Sequence, residues 1–184
     1  MALLSPTTLQ AQRITLGFEF SGQQEIVDKA SLVNQKDTLL GFSLGTIAGR
    51  EIQLEFRLGY SLRKAEQIGY GLDKIADFSL YVGARYYSDY PPTFSLGKTE
   101  VRLTLSALGG FTWLSGGGFS TLPQFSALLS GGLSISPGGI PSDIMIEFVY
   151  RPVSMNMEMR GAWNVLVGTL LLKPSWCIRM AVLF

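Results

Sequence analysis

The side chains of this chain that could carry out chemistry are carboxylates, because the sequence contains no histidine. Glu51 and Glu55 lie on either side of Gln53, so all three share one face of an extended strand. Two carboxylates on one face could act as a general acid and a general base. Arg57 comes next on the same face, and its guanidinium favours neutralisation of the acids over catalysis. We therefore predict that the protein is not an enzyme and has no catalytic residue.

The absence of histidine also removes most metal and nucleophile chemistry. Zinc sites and the common serine and cysteine nucleophiles depend on imidazole, and Cys177 is the single cysteine. The charge is nearly balanced, with 15 Lys and Arg residues against 14 Asp and Glu residues, which argues against a nucleic-acid partner. The sequence therefore predicts no metal, no cofactor and no nucleic acid.

Alternation of apolar and polar residues predicts strands along almost the whole sequence. Residues 51–63 alternate without an error over thirteen positions, which is the strongest strand signal in the chain. The other predicted strands are 13–21, 76–87, 101–113, 124–136, 143–151 and 176–184, with weaker candidates at 37–46 and 163–171. The chain is thus predicted to be all-β, with strands of roughly ten residues, the length of a tilted membrane-spanning strand.

The number of strands is the open point of this prediction. These candidates number nine, whereas a bacterial single-chain barrel has an even number of strands. The length of the chain favours eight strands, and ten is the alternative. Eight strands require that 154–174 form one long external connection. The other solution makes 163–171 and 176–184 a hairpin and removes the weak candidate 37–46.

The alternation fits two architectures that differ in which face is inside. A soluble barrel or sandwich turns its apolar rows inward, whereas a transmembrane barrel turns them toward lipid. All six lysines lie in predicted loops or at strand edges, and the polar faces of the strands carry arginine instead. Because a planar guanidinium can pair with several carboxylates, this distribution favours an enclosed polar interior. We predict a closed antiparallel up-and-down transmembrane β-barrel.

In this barrel the charged residues of the polar faces form an interior network. We expect every member to be paired inside the barrel, so that replacing Arg102 with methionine would leave a buried acid without its partner. The predicted network consists of Glu19, Glu55, Arg57, Asp77, Arg85, Arg102, Glu147, Arg151 and Arg179.

The last predicted strand carries the most specific pattern in the sequence. Its alternate residues are Trp176, Ile178, Met180, Val182 and Phe184, an unbroken apolar row that ends on an aromatic ring. This row resembles the C-terminal strand of the small bacterial outer-membrane β-barrel proteins. The resemblance implies a location in the bacterial outer membrane, contact with membrane lipid or detergent, and recognition of this strand by the barrel-assembly machinery.

The predicted organisation is a leader or signal-peptide remnant at 1–12 followed by a single barrel domain at 13–184. Three functions remain open from the sequence. The first is a structural or interaction role for a barrel with a plugged lumen. The second is a narrow channel or carrier for small apolar solutes. The third is a soluble lipocalin-like carrier whose apolar rows enclose a hydrophobic ligand.

Overall fold

The structure is a computed structural model that describes most of the chain. The described residues are 13–28, 33–37, 40–49, 52–64, 74–88, 94–116 and 118–184. The predicted leader at 1–12 lies outside them. Among the described residues, no helix is long and apolar enough to cross a membrane.

Strands account for nearly all of the regular structure, which confirms the predicted all-β class. One 3₁₀ turn, Ala162–Asn164, is the helical element of the described chain. In chain order the strands are β1 (Arg13–Asp28), β2 (Val33–Asp37), β3 (Leu40–Gly49), β4 (Ile52–Lys64), β5 (Lys74–Tyr87), β6 (Phe94–Leu96), β7 (Thr99–Gly116), β8 (Phe119–Thr121), β9 (Gln124–Ser136), β10 (Asp143–Arg151), β11 (Met155–Arg160), β12 (Leu166–Leu172) and β13 (Ser175–Leu183).

Eight of these strands form a closed antiparallel ring. The order around the ring is β1, β3, β4, β5, β7, β9, β10 and β13, and β13 pairs with β1 to close it. The Phe184 N–H donates to the Ile14 carbonyl at 3.0 Å, so Arg13 and Phe184 lie at one end of the barrel. We call this the termini end and the opposite one the far end. The predicted eight-stranded up-and-down barrel is confirmed.

The stagger of the ring follows from its residue pairs. Paired residues lead from Leu16 through β3, β4 and β5 to Phe111 on β7. In the other direction they lead from Leu16 through β13, β10 and β9 to Val101 on β7. The two paths around the ring therefore reach β7 at residues ten positions apart, Phe111 and Val101. This offset is the shear number, so the eight-stranded barrel has a shear of ten. Strands of such a barrel tilt by about 35–45° from its axis.

The segment 154–174 explains why nine strands were predicted. It forms a hairpin in which β11 pairs with β12, from Met155 opposite Leu172 to Arg160 opposite Leu166. This hairpin continues β10 and β13 at the far end, past breaks in the strands that contain Pro152 and Pro174, and its two edges pair with β8 and β1. Proline lacks a backbone N–H and therefore interrupts the ladder at these breaks.

The alternative solution to the strand count is wrong. In it 163–171 pairs with 176–184, whereas β12 pairs with β11 and β1. The weak candidate 37–46 is a true strand, because β3 pairs with both β1 and β4 along its length. The eight-strand solution, with 154–174 as one connection between the last two ring strands, is confirmed.

The two faces of the wall are reversed relative to those of a soluble protein. Phe56 and Leu103 point outward and are exposed, whereas Arg57 and Arg85 point inward and are buried. The same exposure extends to the outward rows of β1, β9, β10 and β13. An apolar outer wall of this kind needs lipid around it. The soluble lipocalin-like alternative is wrong, because in that architecture the apolar rows would enclose the lumen.

Aromatic side chains on the outer wall pack against one another across strands. The Phe78 ring lies between Tyr60 and Trp113, at centroid distances of 5.1 and 5.7 Å. On the opposite side of the ring, Phe148 stacks on Trp176 at 5.8 Å. Such pairs stabilise neighbouring strands beyond the area that they bury.

Candidate functional site

The inward charged residues meet near the middle of the barrel. Glu55 and Arg57 share the inner face of β4 because residues two apart in a strand point to the same side. Arg85 faces them from the neighbouring strand β5. Glu147 on β10 and Arg179 on β13 are direct cross-strand partners and face inward from the other side of the lumen. The ring therefore brings five charged side chains from four strands together.

Arg85 links the two sides of this cluster. Its Nη1 donates to Glu147 Oε1 at 2.7 Å, and its Nε donates to Glu55 Oε2 at 3.0 Å. Arg57 donates from Nη2 to Glu55 Oε1 at 2.6 Å, and Arg179 donates from Nη1 to Glu147 Oε2 at 2.7 Å. We call these five residues the central network. It ties β4 and β5 to β10 and β13 across the lumen.

The central network is isolated from water. Each of its side chains is at most 1% exposed. Unpaired charges would be strongly destabilising at such burial, whereas direct ion pairs and added hydrogen bonds offset much of the desolvation cost. Ser43 accepts a hydrogen bond from Arg179 Nε at 2.8 Å, and Ser130 donates one to Glu147 Oε1 at 3.1 Å.

Small residues on the inner wall leave room for the guanidiniums. A Cβ atom added to Gly17 would lie 2.8 Å from Arg179 Nε and 2.9 Å from Ser43 Oγ. Real Cβ atoms do not approach this closely, so the backbone of β1 reaches the network only because residue 17 has no side chain. The glycine and serine content of the polar faces thus serves the packing of large cations in a narrow lumen.

A second charged cluster lies toward the far end. Arg151 contacts Glu19 at 3.4 Å and Asp77 at 3.9 Å. Beside it, Cys177 is buried and its sulfur lies 4.0 Å from Glu19 Oε2. A cavity of about 10 Å³ borders Glu19, Arg151 and Cys177, and this is room for one water molecule. The arrangement is that of a packed ionic cluster with a small polar gap.

Apolar layers lie above and below the charged residues. At the termini end the layer consists of Ile47, Met145, Ala181 and Leu183. The layer at the far end is larger, and we call it the far-end cluster. It consists of Ile75, Leu114, Phe119, Met155, Met157, Met159, Leu170 and Leu172.

The far-end cluster was missed in the sequence because neither solution for the strand count assigned a strand to 155–160. The signal was available, since methionine occupies every second position of β11. A strand period of two places all three methionines on one face.

Arg102 is the member of the predicted network that the structure does not bring into it. Its Nη2 contacts Glu100, two residues earlier on β7, and its guanidinium lies 5.6 Å from the Tyr87 ring centre. The Arg102 and Glu100 side chains are 24% and 45% exposed. The acid that Arg102 contacts here, Glu100, reaches water, so the structure does not support the expectation that loss of Arg102 would leave this acid buried without a partner.

The C-terminal pattern forms part of the lipid-facing wall. Trp176, Ile178, Met180 and Phe184 are exposed on the outer face, and Val182 on the same face is half-buried. Their strand, β13, is the one that closes the ring. Recognition of this strand by the assembly machinery remains a prediction.

The acids of the interior do not form a metal site. Within the described ranges, no group of Cys, Asp and Glu side chains is arranged to hold a metal ion. The carboxylates of the central network are instead occupied by guanidinium groups.

Comparisons with solved structures identify this architecture. Neisserial surface protein A matches over 94% of this chain and 95% of its own, with 14% identity and a TM-score of 0.56. The fold is that of a small outer-membrane β-barrel. OprG of Pseudomonas aeruginosa matches over 96% and 97% of the two chains, with 16% identity and a TM-score of 0.46. Ail of Yersinia pestis matches over 94% and 97%, with 16% identity and a TM-score of 0.42.

At these identities the likeness concerns the fold. The predicted outer-membrane barrel is confirmed at that level, and a location in the bacterial outer membrane agrees with it. A comparison with protein-family models found no match, and neither did a search of curated protein sequences.

Proposed function

We propose that this outer-membrane barrel does not conduct solutes along its axis and has a structural or interaction role without enzymatic activity. The observation that supports this most strongly is the central network, whose ion pairs join opposite walls at the middle of the lumen. Arg85 alone holds carboxylates from β4 and β10 within 3.0 Å. The far-end cluster adds a further apolar barrier to ions, and a smaller apolar cluster lies toward the termini end. Any recognition is then carried out by the parts that project beyond the ring.

Single-channel recording in a planar bilayer tests this proposal. We expect the wild-type barrel to show no stepwise conductance. A variant that combines Arg85→Ser with Glu147→Ser removes the pair that crosses the lumen, and conductance in this variant but not in the wild type would locate the barrier at the central network. Stepwise conductance of the wild-type protein would contradict the proposal.

A second candidate function is the carriage of small apolar solutes, and the far-end cluster favours it. Methionine side chains are flexible and polarisable and adapt to ligands of different shape. Met155, Met157 and Met159 line one wall of this cluster, directly beyond the charged residues. An apolar solute would enter here without crossing the central network.

Uptake of a radiolabelled alkane into proteoliposomes distinguishes this second function from the first. A carrier would raise uptake above that of protein-free vesicles, and Met157→Gln would reduce it by placing an amide among apolar contacts. Uptake equal to that of empty vesicles would exclude the carrier and leave the interaction role.

A further inference from the structure

The turn between β11 and β12 holds two non-glycine residues in the left-handed backbone region. Trp163 has φ 60° and ψ 23°, and Asn164 has φ 61°. Asparagine tolerates this region, whereas a bulky side chain rarely adopts it. The Trp163 side chain is nevertheless 97% exposed, so burial does not compensate for its backbone strain. Positive φ at both central residues is the geometry of a two-residue hairpin turn, which favours asparagine and glycine, so the turn accounts for this backbone but not for an exposed tryptophan side chain.

The residues that follow Trp163 are apolar and exposed as well. Val165, Leu166 and Val167 come directly after the turn, and with Trp163 they form what we call the hairpin tip. A few residues closer to the ring, Leu170 is fully buried. The apolar side chains of the hairpin tip are therefore not buried in the protein's own interior, unlike those of the far-end cluster.

The hairpin tip stands clear of the lipid-facing wall. It lies beyond the last described pair between β12 and the ring strand β1, which joins Leu170 to Asp28. Val167 is nine residues before Trp176, where the outer row of β13 begins, and nine residues span roughly 30 Å at the usual rise of a strand. The exposed apolar rows of β10 and β13, the two strands that lead into this hairpin, end at Tyr150 and Trp176. The surrounding bilayer therefore does not account for the apolar character of the tip.

The backbone of the tip is prepared for an apolar environment. Gly161 donates its N–H to Val165 O at 2.9 Å, and Asn164 donates its N–H to Gly161 O at 3.2 Å. Val165 donates its N–H to Ala162 O at 3.4 Å. Backbone groups paired within the turn can enter lipid without the cost of unpaired polar atoms.

The charge next to the tip is neutralised locally. Arg160 donates from Nη2 to Glu158 Oε2 at 2.8 Å and from Nη1 to the Asn164 side chain at 3.4 Å. The tip thus offers apolar contact above a balanced ion pair, and its binding should not depend on the charge of the surface that it meets.

We propose that the hairpin tip inserts into the lipid surface of a second bilayer facing the far end of the barrel. Four side chains on a convex turn expose on the order of a few hundred Å², less than the ~800 Å² per partner of a stable protein interface. Tryptophan is enriched at membrane–water interfaces, where its ring meets both environments. This inference rests on the interaction role proposed above and names the class of partner.

Quenching by lipid tests the inference directly, because the protein contains three tryptophans. The double variant Trp113→Phe/Trp176→Phe keeps Trp163 alone, and Trp163→Phe is the matched control that keeps the two on the outer wall. Each is placed in nanodiscs of phosphatidylcholine and mixed with separate phosphatidylcholine vesicles that carry brominated acyl chains. We expect quenching of Trp163 fluorescence in the double variant and none in the control. Equal quenching in both, or none in either, would overturn the proposal.

A flotation assay with the same vesicles measures the contribution of one side chain. Leu166→Asp is expected to weaken vesicle binding at least tenfold. Leu122→Asp is the matched control, since Leu122 also lies at the far end and is 50% exposed against 57% for Leu166. Equal loss in the two variants would overturn the role of the tip. Vesicle binding tests only the hairpin tip, whereas single-channel conductance tests only the sealed lumen. Failure of one proposal can therefore be distinguished from failure of the other.

Discussion

Glu147 is the residue on which the interior charge balance depends most. It accepts hydrogen bonds from Arg85 and Arg179, and Arg57 Nη2 lies 3.6 Å from its Oε2. One carboxylate thus meets guanidiniums from three strands. Removing its charge leaves these cations buried with Glu55 as the remaining acid of the central network.

We therefore expect Glu147→Gln to lower the free energy of unfolding by about 3 kcal/mol, as for other broken buried ion pairs. Urea unfolding in detergent micelles, followed by tryptophan fluorescence, measures the change. Glu100→Gln is the control, because its pair with Arg102 is partly exposed and should contribute about 1 kcal/mol or less. Equal shifts of the two midpoints would show that the central network is not a special source of stability.

At the scale of elements, β13 combines a structural and a proposed recognition role. It closes the ring, and its outer row faces lipid. We propose that the barrel-assembly machinery recognises this row, as the resemblance implies. Phe184→Ser is then expected to slow assisted assembly several-fold. The control is Phe18→Ser on β1, which removes a phenyl ring of similar exposure, 58% against 62%.

Assembly rates in vesicles with and without the machinery measure this effect. Both variants should fold equally well in detergent, since each loses one lipid-facing ring. If the machinery assembles them at the same rate, the strand carries no special signal at Phe184.

The long strands were predictable from the sequence, whereas the short ones were not. The strand β4 alternates from Ile52 to Arg63, twelve of its thirteen residues, so its period is clear without knowledge of its partners. The strands β6 and β8 have three residues each, too few to show a period, and they exist because β7 pairs with them. The strand β11 also alternates, with methionine at every second position, but it was not predicted because this part of the sequence was assigned to a connection.

The inner face was predictable, whereas the pairs on it were not. Alternation and the preference for arginine place Arg85 and Glu147 inside. They lie 62 positions apart, and their contact depends on the register of every strand between them. Arg102 is a second example. Alternation correctly predicts that it points inward, but it lies at the termini end of β7, where the inner face opens to water.

At the scale of the whole molecule, the outward apolar rows determine how the protein behaves in solution. We expect it to remain monodisperse in detergent and to aggregate in plain buffer. On SDS gels the unboiled barrel should run at a different position from the boiled chain. Size-exclusion chromatography and gels of paired samples measure both. A stable monomer without detergent would contradict the lipid-facing assignment.

The closure of β1 onto β13 has a consequence for how the protein is made. The contact between Arg179 and Thr15 joins side chains 164 positions apart in the chain. Bringing such distant segments together costs conformational entropy before their pairing contributes any stabilising free energy. Folding is therefore expected to be slow. Until the ring closes, apolar surfaces and unpaired strand edges are exposed and can associate with neighbouring molecules. A cell that produces this protein must therefore prevent its aggregation throughout that delay.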